Sequence, residues 1–330
     1  MLPVGRLQRP FGRSGDQAGS NIHCWLEIRR RPLDGEPWMA AGRPIDSSRP
    51  IKAEAYDRSM HDDVMNEQLR RATTERISSY TVGIAAEKNT IMGTGTLITD
   101  GILKFILTAA HVVQGVDMDG VKFWLKPNAA LIEKAASEAT LKDVGSLTVG
   151  TSISIVEALT DPIQDIAILR IANEWKVPEG AEVYHIGRSF EFASWPEQQL
   201  DGISILMFGF PVANSKPLHT VGNNTFRFLG AASMLSGYSA KTNAEKFKGL
   251  SGASADKDFL FDYTGVGDNI EPHGFSGCGV WIPTDTQGRK VWTSDPILVG
   301  VTSKYFRKPN LISATKLPAI VTITPPDEKP

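Results

Sequence analysis

Three side chains of the sequence have the types and the order that nucleophilic catalysis needs. His111 follows the apolar segment 102–107, and Asp165 begins the apolar run 165–169. Ser276 lies close to glycines and a short distance before a further apolar run. A serine can attack a carbonyl when a histidine takes its proton and a carboxylate orients that histidine. The three residues therefore form a candidate catalytic triad.

The surroundings of Ser276 suit a nucleophile because Gly274 and Gly277 allow a sharp turn and a close approach of substrate. The backbone N–H groups of Gly274 and Ser276 would then form an oxyanion hole, which stabilises the charge of a tetrahedral intermediate. Ser-Gly pairs also occur at Ser251 and Ser236. Because no apolar strand directly follows Ser251, the pattern favours Ser276.

Each of the other two residues also has an alternative interpretation. A histidine among alanines, as His111 is, could be a buried core residue, but its companions in the right order favour catalysis. Asp161 competes with Asp165 as the carboxylate. Because Asp161 precedes a proline, it is typical of a turn, whereas Asp165 adjoins the apolar run and can be buried.

The order His…Asp…Ser, with the pieces Thr-Ala-Ala-His and Asp-Ile-Ala-x-Leu, resembles the trypsin/chymotrypsin-like serine peptidases. The resemblance is greatest to the bacterial branch that includes HtrA-type catalytic domains, and it covers residues 79–322. It implies a serine endopeptidase that cleaves a polypeptide substrate through an acyl-enzyme, with no metal and no organic cofactor. His111, Asp165 and Ser276 take the places of the catalytic triad.

The serine motif departs from the usual Gly-Asn/Asp-Ser-Gly-Gly-Pro of the family at three places, Phe275, Cys278 and Gly279. In family members that are activated from a zymogen, an aspartate before the serine pairs with a new N-terminus. Phe275 cannot form that ion pair, so activation by that route is not expected. Cys278 is interpreted as a small packed residue rather than a second nucleophile.

Short alternating segments separated by turn residues predict an all-β fold. The resemblance implies two antiparallel six-stranded β-barrels of the chymotrypsin-like type, with the site between them. The predicted divisions are an N-terminal extension (1–78) with a helix over 52–77, a first barrel (79–172) with His111 and Asp165, a connection (173–202), a second barrel (203–324) with the nucleophile and specificity pocket, and a disordered tail (325–330).

Residues near the serine motif are candidates for binding the substrate. Glu271 falls where the family's pocket would lie, and it could attract a basic side chain or be a solvated loop acid. His273 adjoins the oxyanion glycine. The segment Thr302, Ser303 and Lys304 could pair with the backbone of the substrate. No paired ligand spacing accompanies His273, so a metal site is not predicted there.

Composition limits the partners and the compartment. A net charge of −2 gives no reason to expect binding to nucleic acid or to an anionic membrane. The start of the sequence lacks the apolar core of a signal peptide, and only two cysteines occur, Cys24 and Cys278. A cytoplasmic location is therefore expected. A regulatory protein partner could dock on residues 1–78.

Two other functions compete with that of a peptidase. A catalytically silent, peptidase-like interaction module is favoured by Phe275 and Cys278, although all three triad residues are present. An esterase of the α/β-hydrolase type expects the order Ser…Asp…His and strands that alternate with long helices. The sequence shows neither feature.

Overall fold

The computed structural model describes most of the chain from the end of its N-terminal extension onward. The described residues are 55–85, 91–127, 130–131, 133, 147–189, 204–210, 219–221, 224–228, 230–231, 235–236, 245–263, 272–284, 292–308 and 310–317. No helix among them is both long and apolar enough to cross a membrane. The predicted disordered tail and residue Glu271 lie outside the described residues.

A long helix leads into the sheets. Helix α1 spans Ala55–Tyr80, and strand β1 (Thr81–Ala85) follows without an intervening loop. The hydroxyl of Thr81 donates to the carbonyl of Ile77 at 2.8 Å, which ties the first strand residue to the last helical turn. The structure confirms the helix predicted in the N-terminal extension and extends it to Tyr80.

In the described part of the chain, ten strands form a first sheet. They are β1, β2 (Ile91–Thr99), β3 (Lys104–Thr108), β4 (Lys122–Leu125), β5 (Leu147–Thr151), β6 (Ile155–Asp161), β7 (Ile166–Ile171), β8 (Tyr184–His185), β10 (His219–Val221) and β11 (Asn224–Phe228). Their order is β10-β11-β5-β4-β1-β2-β3-β7-β6, and β8 pairs in parallel with β2. Strand β6 alternates exposed and half-buried residues, as an edge strand with one solvated face does.

Seven strands of the described residues form the second sheet. They are β9 (Ser204–Gly209), β12 (Gly230–Ala231), β13 (Leu235–Ser236), β14 (Asp258–Asp262), β15 (Gly279–Thr284), β16 (Trp292–Phe306) and β17 (Leu311–Lys316). The order is β12-β9-β15-β16-β17-β14, and β13 also pairs with β9. All pairs of neighbouring strands described in this sheet are antiparallel.

The all-β class is confirmed, and the strands of the described residues are divided ten and seven between two sheets. The hairpin β10–β11 lies within residues 203–324, the predicted second barrel, but it pairs with β5 of the first sheet. Strand β8 lies in the predicted connection and adds to β2. The first sheet therefore gains strands from chain segments that follow the first barrel in sequence.

Helix α1 packs against β16, with further contacts to β15 and β2. Its last residue, Tyr80, stacks on Trp281 of β15 with 5.5 Å between ring centroids. Tyr184 of β8 meets both rings edge-on, at 5.5 Å from Tyr80 and 5.1 Å from Trp281. These buried rings join the helix, the connection and the second sheet in one core cluster.

Candidate active site

His111 lies on a four-residue helix, α2 (Ala110–Val113), directly after strand β3. The ring Nδ1 lies 2.9 Å and 2.8 Å from the two carboxylate oxygens of Asp165. The backbone N–H of His111 also donates to Asp165 Oδ1 at 3.0 Å. Since a carboxylate accepts hydrogen bonds, these contacts place the ring proton on Nδ1 and leave Nε2 with a free lone pair.

Asp165 lies in a tight turn that directs its carboxylate at His111. Its φ is +56°, in the left-handed region that aspartate tolerates better than most residues. Asp161 shapes this turn, because its Oδ1 accepts the N–H groups of Ile163 at 2.9 Å and Gln164 at 3.0 Å. The prediction that Asp161 is a turn residue is thereby confirmed.

Ser276 is half-buried in the loop before β15, and this loop packs against the first sheet. Its carbonyl oxygen accepts the N–H of Thr94 in β2 at 2.8 Å. A Cβ placed on Gly93 would lie 2.5 Å from Val112 Cγ2 and 2.8 Å from the oxygen of Ser276. Val112, which follows His111, and the backbone of Ser276 therefore both pack closely against Gly93.

The next residue brings the serine loop close to the segment that precedes His111. Gly277 has a φ of +84°, and a Cβ there would collide with Thr108 Oγ1 and with the carbonyl oxygen of Thr94. Among the described residues, no hydrogen bond joins Ser276 Oγ to His111. Such contacts are often long in the absence of substrate. The catalytic roles of the three residues stay predictions.

The turn before Ser276 contains the two N–H groups that are predicted to form the oxyanion hole. Phe275 N–H donates to the carbonyl of Pro272 at 3.0 Å, and Gly274 has a φ of +97°. His273 is not in the left-handed region, so residues 272–275 form a type II turn. Within the described part of the chain, the N–H groups of Gly274 and Ser276 have no protein acceptor.

Phe275 and Cys278, the departures from the family motif, both point into the second sheet's core. Phe275 is 3% exposed and packs in a cluster that includes Met207 and Val280. Cys278 is fully buried in the same cluster, and burial raises the pKa of its thiol to about 12. A thiol with this pKa is not a nucleophile at neutral pH, which agrees with its interpretation as a packed residue.

The predicted substrate-binding residues have different surroundings. Thr302 is buried; its N–H donates to Cys278 and its carbonyl accepts from Gly277, so its backbone is not free to pair with a substrate. Ser303 lies where the register of β16 with β17 shifts, and bulges of this kind often adjoin active sites. Lys304 and His273 are exposed, and these three residues stay candidates.

Sequence reasoning missed two residues that shape the serine loop. The hydroxyl of Thr94 donates to the carbonyl of Gly274 at 2.7 Å. A Cβ on Gly209 would lie 2.7 Å from Phe275 Cδ1 and 2.9 Å from Thr94 Oγ1. Their only signals in the sequence are the glycines themselves, Gly93-Thr94-Gly95 in β2 and Gly209 at the end of β9.

Ser251 belongs to an exposed turn. The adjoining residues Leu250 and Ala253 pack with Phe247, Leu260 and Leu311 in a separate small cluster.

Part of the chain matches a known protein family. Residues 69–244, more than half of the chain, match the family model described as Trypsin. The matched stretch contains His111 and Asp165 and ends before Ser276. No curated protein matches the sequence significantly.

Proposed function

Because the chain belongs to the trypsin family, we propose that it is a serine endopeptidase that cleaves polypeptides with Ser276, His111 and Asp165. Family membership supports a serine peptidase in general. The observation that carries the specific proposal is the double contact of Asp165 with the backbone N–H and the ring Nδ1 of His111. It leaves Nε2 as a base, as the reaction requires.

The proposed reaction has two steps. Ser276 Oγ attacks the scissile carbonyl while His111 Nε2 takes the hydroxyl proton, and the N–H groups of Gly274 and Ser276 bind the oxyanion. His111 then gives this proton to the leaving amine, and the C–N bond breaks. In the second step a water molecule gives a proton to His111 and attacks the acyl-enzyme. The proton returns to Ser276 Oγ as the acid product leaves.

A serine-directed fluorophosphonate probe tests the proposal. The full chain is expected to react covalently, and Ser276→Ala should abolish labelling. Ser251→Ala is the matched control, because Ser251 lies in a similar Gly-x-Ser-Gly pattern on an exposed turn. It should label like the parent. Cleavage of a fluorogenic protein substrate by the parent and by Ser251→Ala, but not by Ser276→Ala, then establishes peptidase activity.

Two results of this experiment contradict the proposal. Equal labelling of Ser276→Ala and the parent would assign the nucleophile to another residue. No labelling of the parent, alone or with added candidate partners, would favour the silent interaction module. Labelling that occurs only with a partner would support a peptidase that is held inactive at rest.

We also propose that residues 1–78 regulate access to the site or dock a partner protein. The proposal is supported by the packing of helix α1 on β16. Tyr80, the last residue of α1, also stacks on Trp281 in the strand that follows Ser276. Deletion of residues 1–50 removes only chain that precedes this helix. If activity, stability and partner binding stay unchanged after the deletion, the idea is dropped. The cytoplasmic location stays a prediction.

A further inference from the structure

We propose that two buried threonines, Thr94 and Thr302, are positioning residues that keep the oxyanion hole assembled at rest. The inference rests on the proposed function, because it concerns how the peptidase site is held. Thr94 belongs to β2 of the first sheet and Thr302 to β16 of the second, and they are 0% and 3% exposed. Each hydroxyl binds a different carbonyl of the turn that precedes Ser276.

The neighbours of the Thr94 hydroxyl determine to which of them it donates its proton. It lies 3.0 Å from the N–H of Phe210, which can only donate, and 2.7 Å from the carbonyl of Gly274, which can only accept. The hydroxyl therefore donates its single proton to Gly274. This bond fixes the peptide plane that follows Gly274, while the N–H of the same peptide donates to the carbonyl of Pro272.

Thr94 holds the loop at a second point, since its backbone N–H donates to the carbonyl of Ser276 at 2.8 Å. The carbonyls on both sides of Phe275 are thus bound by one residue of the opposite sheet. The turn is therefore held against the first sheet at two carbonyls, and within it Gly274 has the positive φ of a type II turn, which sets the face on which its own N–H lies. A type I turn would rotate that peptide by roughly 150–170°.

Thr302 orients the other donor of the hole. Its hydroxyl lies 2.5 Å from the carbonyl of Phe275, which also accepts the N–H of Cys278 at 2.9 Å. A peptide bond is planar and trans, so its C=O and N–H point in opposite directions. Because the carbonyl of Phe275 is bound in the core, the N–H of Ser276 points away from the core.

The side chain of Phe275 completes this arrangement with an apolar anchor. Its ring packs against the α-carbon of Gly209 and in the core cluster of the second sheet. Three independent attachments thus hold the loop without an ion pair at Phe275. Packing of Phe275 and two hydroxyl groups thus hold the serine loop in this chain. In family members that are activated from a zymogen, a newly freed N-terminus holds it.

Matched substitutions of the full chain test the proposal. Thr94→Val and Thr302→Val keep the shape of the side chain and remove the hydroxyl, whereas Thr94→Ser and Thr302→Ser retain it. Thr81→Val is the control for losing a buried threonine hydroxyl away from the turn, because Thr81 is 2% exposed and bonds the carbonyl of Ile77.

The rate constant of fluorophosphonate labelling is the first measurement, since the phosphonyl oxygen occupies the oxyanion hole. We expect each valine variant to react about 10²-fold more slowly, as loss of one oxyanion donor does. The serine variants should stay within about 3-fold of the parent. With a peptide substrate, kcat should fall while KM stays unchanged, because the lost interaction forms only in the transition state. Thr81→Val should retain the parent's rate.

The inference is overturned if both valine variants label within about 3-fold of the parent, or if Thr81→Val slows labelling as much as they do. Where a valine variant loses its cooperative melting transition, the alanine variant removes the same hydroxyl in its place, and a labelling rate within about 3-fold of the parent would contradict the inference. Crystal structures supply a readout that needs no activity. We expect the carbonyl of Gly274, which loses its bond to the Thr94 hydroxyl, to turn away from residue 94 in Thr94→Val.

This last readout separates the inference from the proposed function. If the parent does not label at all, the proposed function fails, and the position of Gly274 in Thr94→Val still decides whether Thr94 positions the turn. A Gly274 carbonyl that keeps its position in that variant would contradict the inference whatever the parent's activity.

Discussion

Asp165 binds His111 at two points, the backbone N–H at 3.0 Å and the ring Nδ1 at 2.8 Å from its nearer oxygen. The aspartate needs a positive φ of 56° to reach both. Backbone strain of this kind persists where the surrounding structure enforces it, and it is common at active sites. The two contacts fix both the position of α2 and the tautomer of the imidazole.

Asp165→Asn tests this relationship. Asparagine tolerates the left-handed region, so the turn should survive. Its amide can donate a proton to Nδ1 and thereby favour the wrong tautomer of His111. We expect kcat to fall by about 10⁴-fold with little change in stability, measured with a peptide substrate and by thermal melting.

Asp161→Asn is the control for this change, because the side-chain oxygen of asparagine can keep the turn that Asp161 forms with Ile163 and Gln164. It should retain most of the parent's activity. An Asp165→Asn variant with the parent's kcat would show that Asp165 does not orient the catalytic base.

The sequence was sufficient for the local features of the site. His111 and Asp165 could be predicted because His111 follows one apolar segment and Asp165 begins another. The structure brings the two residues into contact. The turn role of Asp161 and the packed role of Cys278 also followed from neighbouring residues alone. In each of these cases the physical cause lies within a few residues of the chain.

The long-range features could not be predicted. The hairpin β10–β11 pairs with β5 of the first sheet, and strand pairing depends on which distant edge is available. The bond of Thr94 to Gly274 joins residues 180 positions apart. The residues next to Thr94 in sequence do not show that this threonine binds the serine loop, because other buried strand threonines have similar neighbours.

Gly209→Ala probes the contact between Phe275 and β9 of the second sheet. The new Cβ would lie 2.7 Å from Phe275 Cδ1 and 2.9 Å from Thr94 Oγ1, so the ring or the strand must move. We expect a loss of about 1–3 kcal/mol in the free energy of unfolding, together with slower fluorophosphonate labelling. Urea denaturation and labelling kinetics measure the two effects.

Gly150→Ala is the matched control, because its Cβ would lie 3.3 Å from the nearest atom of Trp124 and far from the serine loop. It can cost some stability but should leave the labelling rate unchanged. If Gly209→Ala has the stability and the rate of the parent, the close packing of Phe275 against β9 is not important for the site.

The thiol of Cys278 should be unreactive in the folded protein. Burial raises its pKa to about 12, and it lies in the core cluster beside the hydroxyl of Thr302. At pH 8 only about 1 thiol in 10⁴ would be ionised, and the thiolate is the reactive form. A Cys24→Ser variant, which leaves Cys278 as the single cysteine, should resist iodoacetamide when folded and react in urea. Rapid alkylation of the folded protein would contradict its burial.

Asp258 should make the stability of the protein depend on pH. Burial raises the pKa of this carboxyl above its ordinary value, against the lowering effect of bonds from Ser254 N–H and the hydroxyl of Thr315 and of the charges of Lys304 and Lys316. The folded state therefore holds the proton to higher pH than the unfolded state. The contribution of Asp258 to stability should be greatest below the unfolded pKa of about 4 and should fall as pH rises through the folded pKa.

Asp258→Asn removes this effect, since asparagine carries no charge and can donate to Thr315 Oγ1. We expect the variant to gain stability relative to the parent as pH rises from 4 to 8, measured as free energies of unfolding in urea. Asp295→Asn should change stability in a different window: the ion pair with Arg188 lowers the pKa of Asp295, so its stabilising contribution is lost only as pH falls below the unfolded pKa of about 4. Equal pH profiles for the parent and Asp258→Asn would mean that ionisation of Asp258 does not lower the free energy of unfolding. The hydroxyl of Thr315 would then have to satisfy that carboxylate instead of the carbonyl of Gln164, 2.9 Å away beside Asp165.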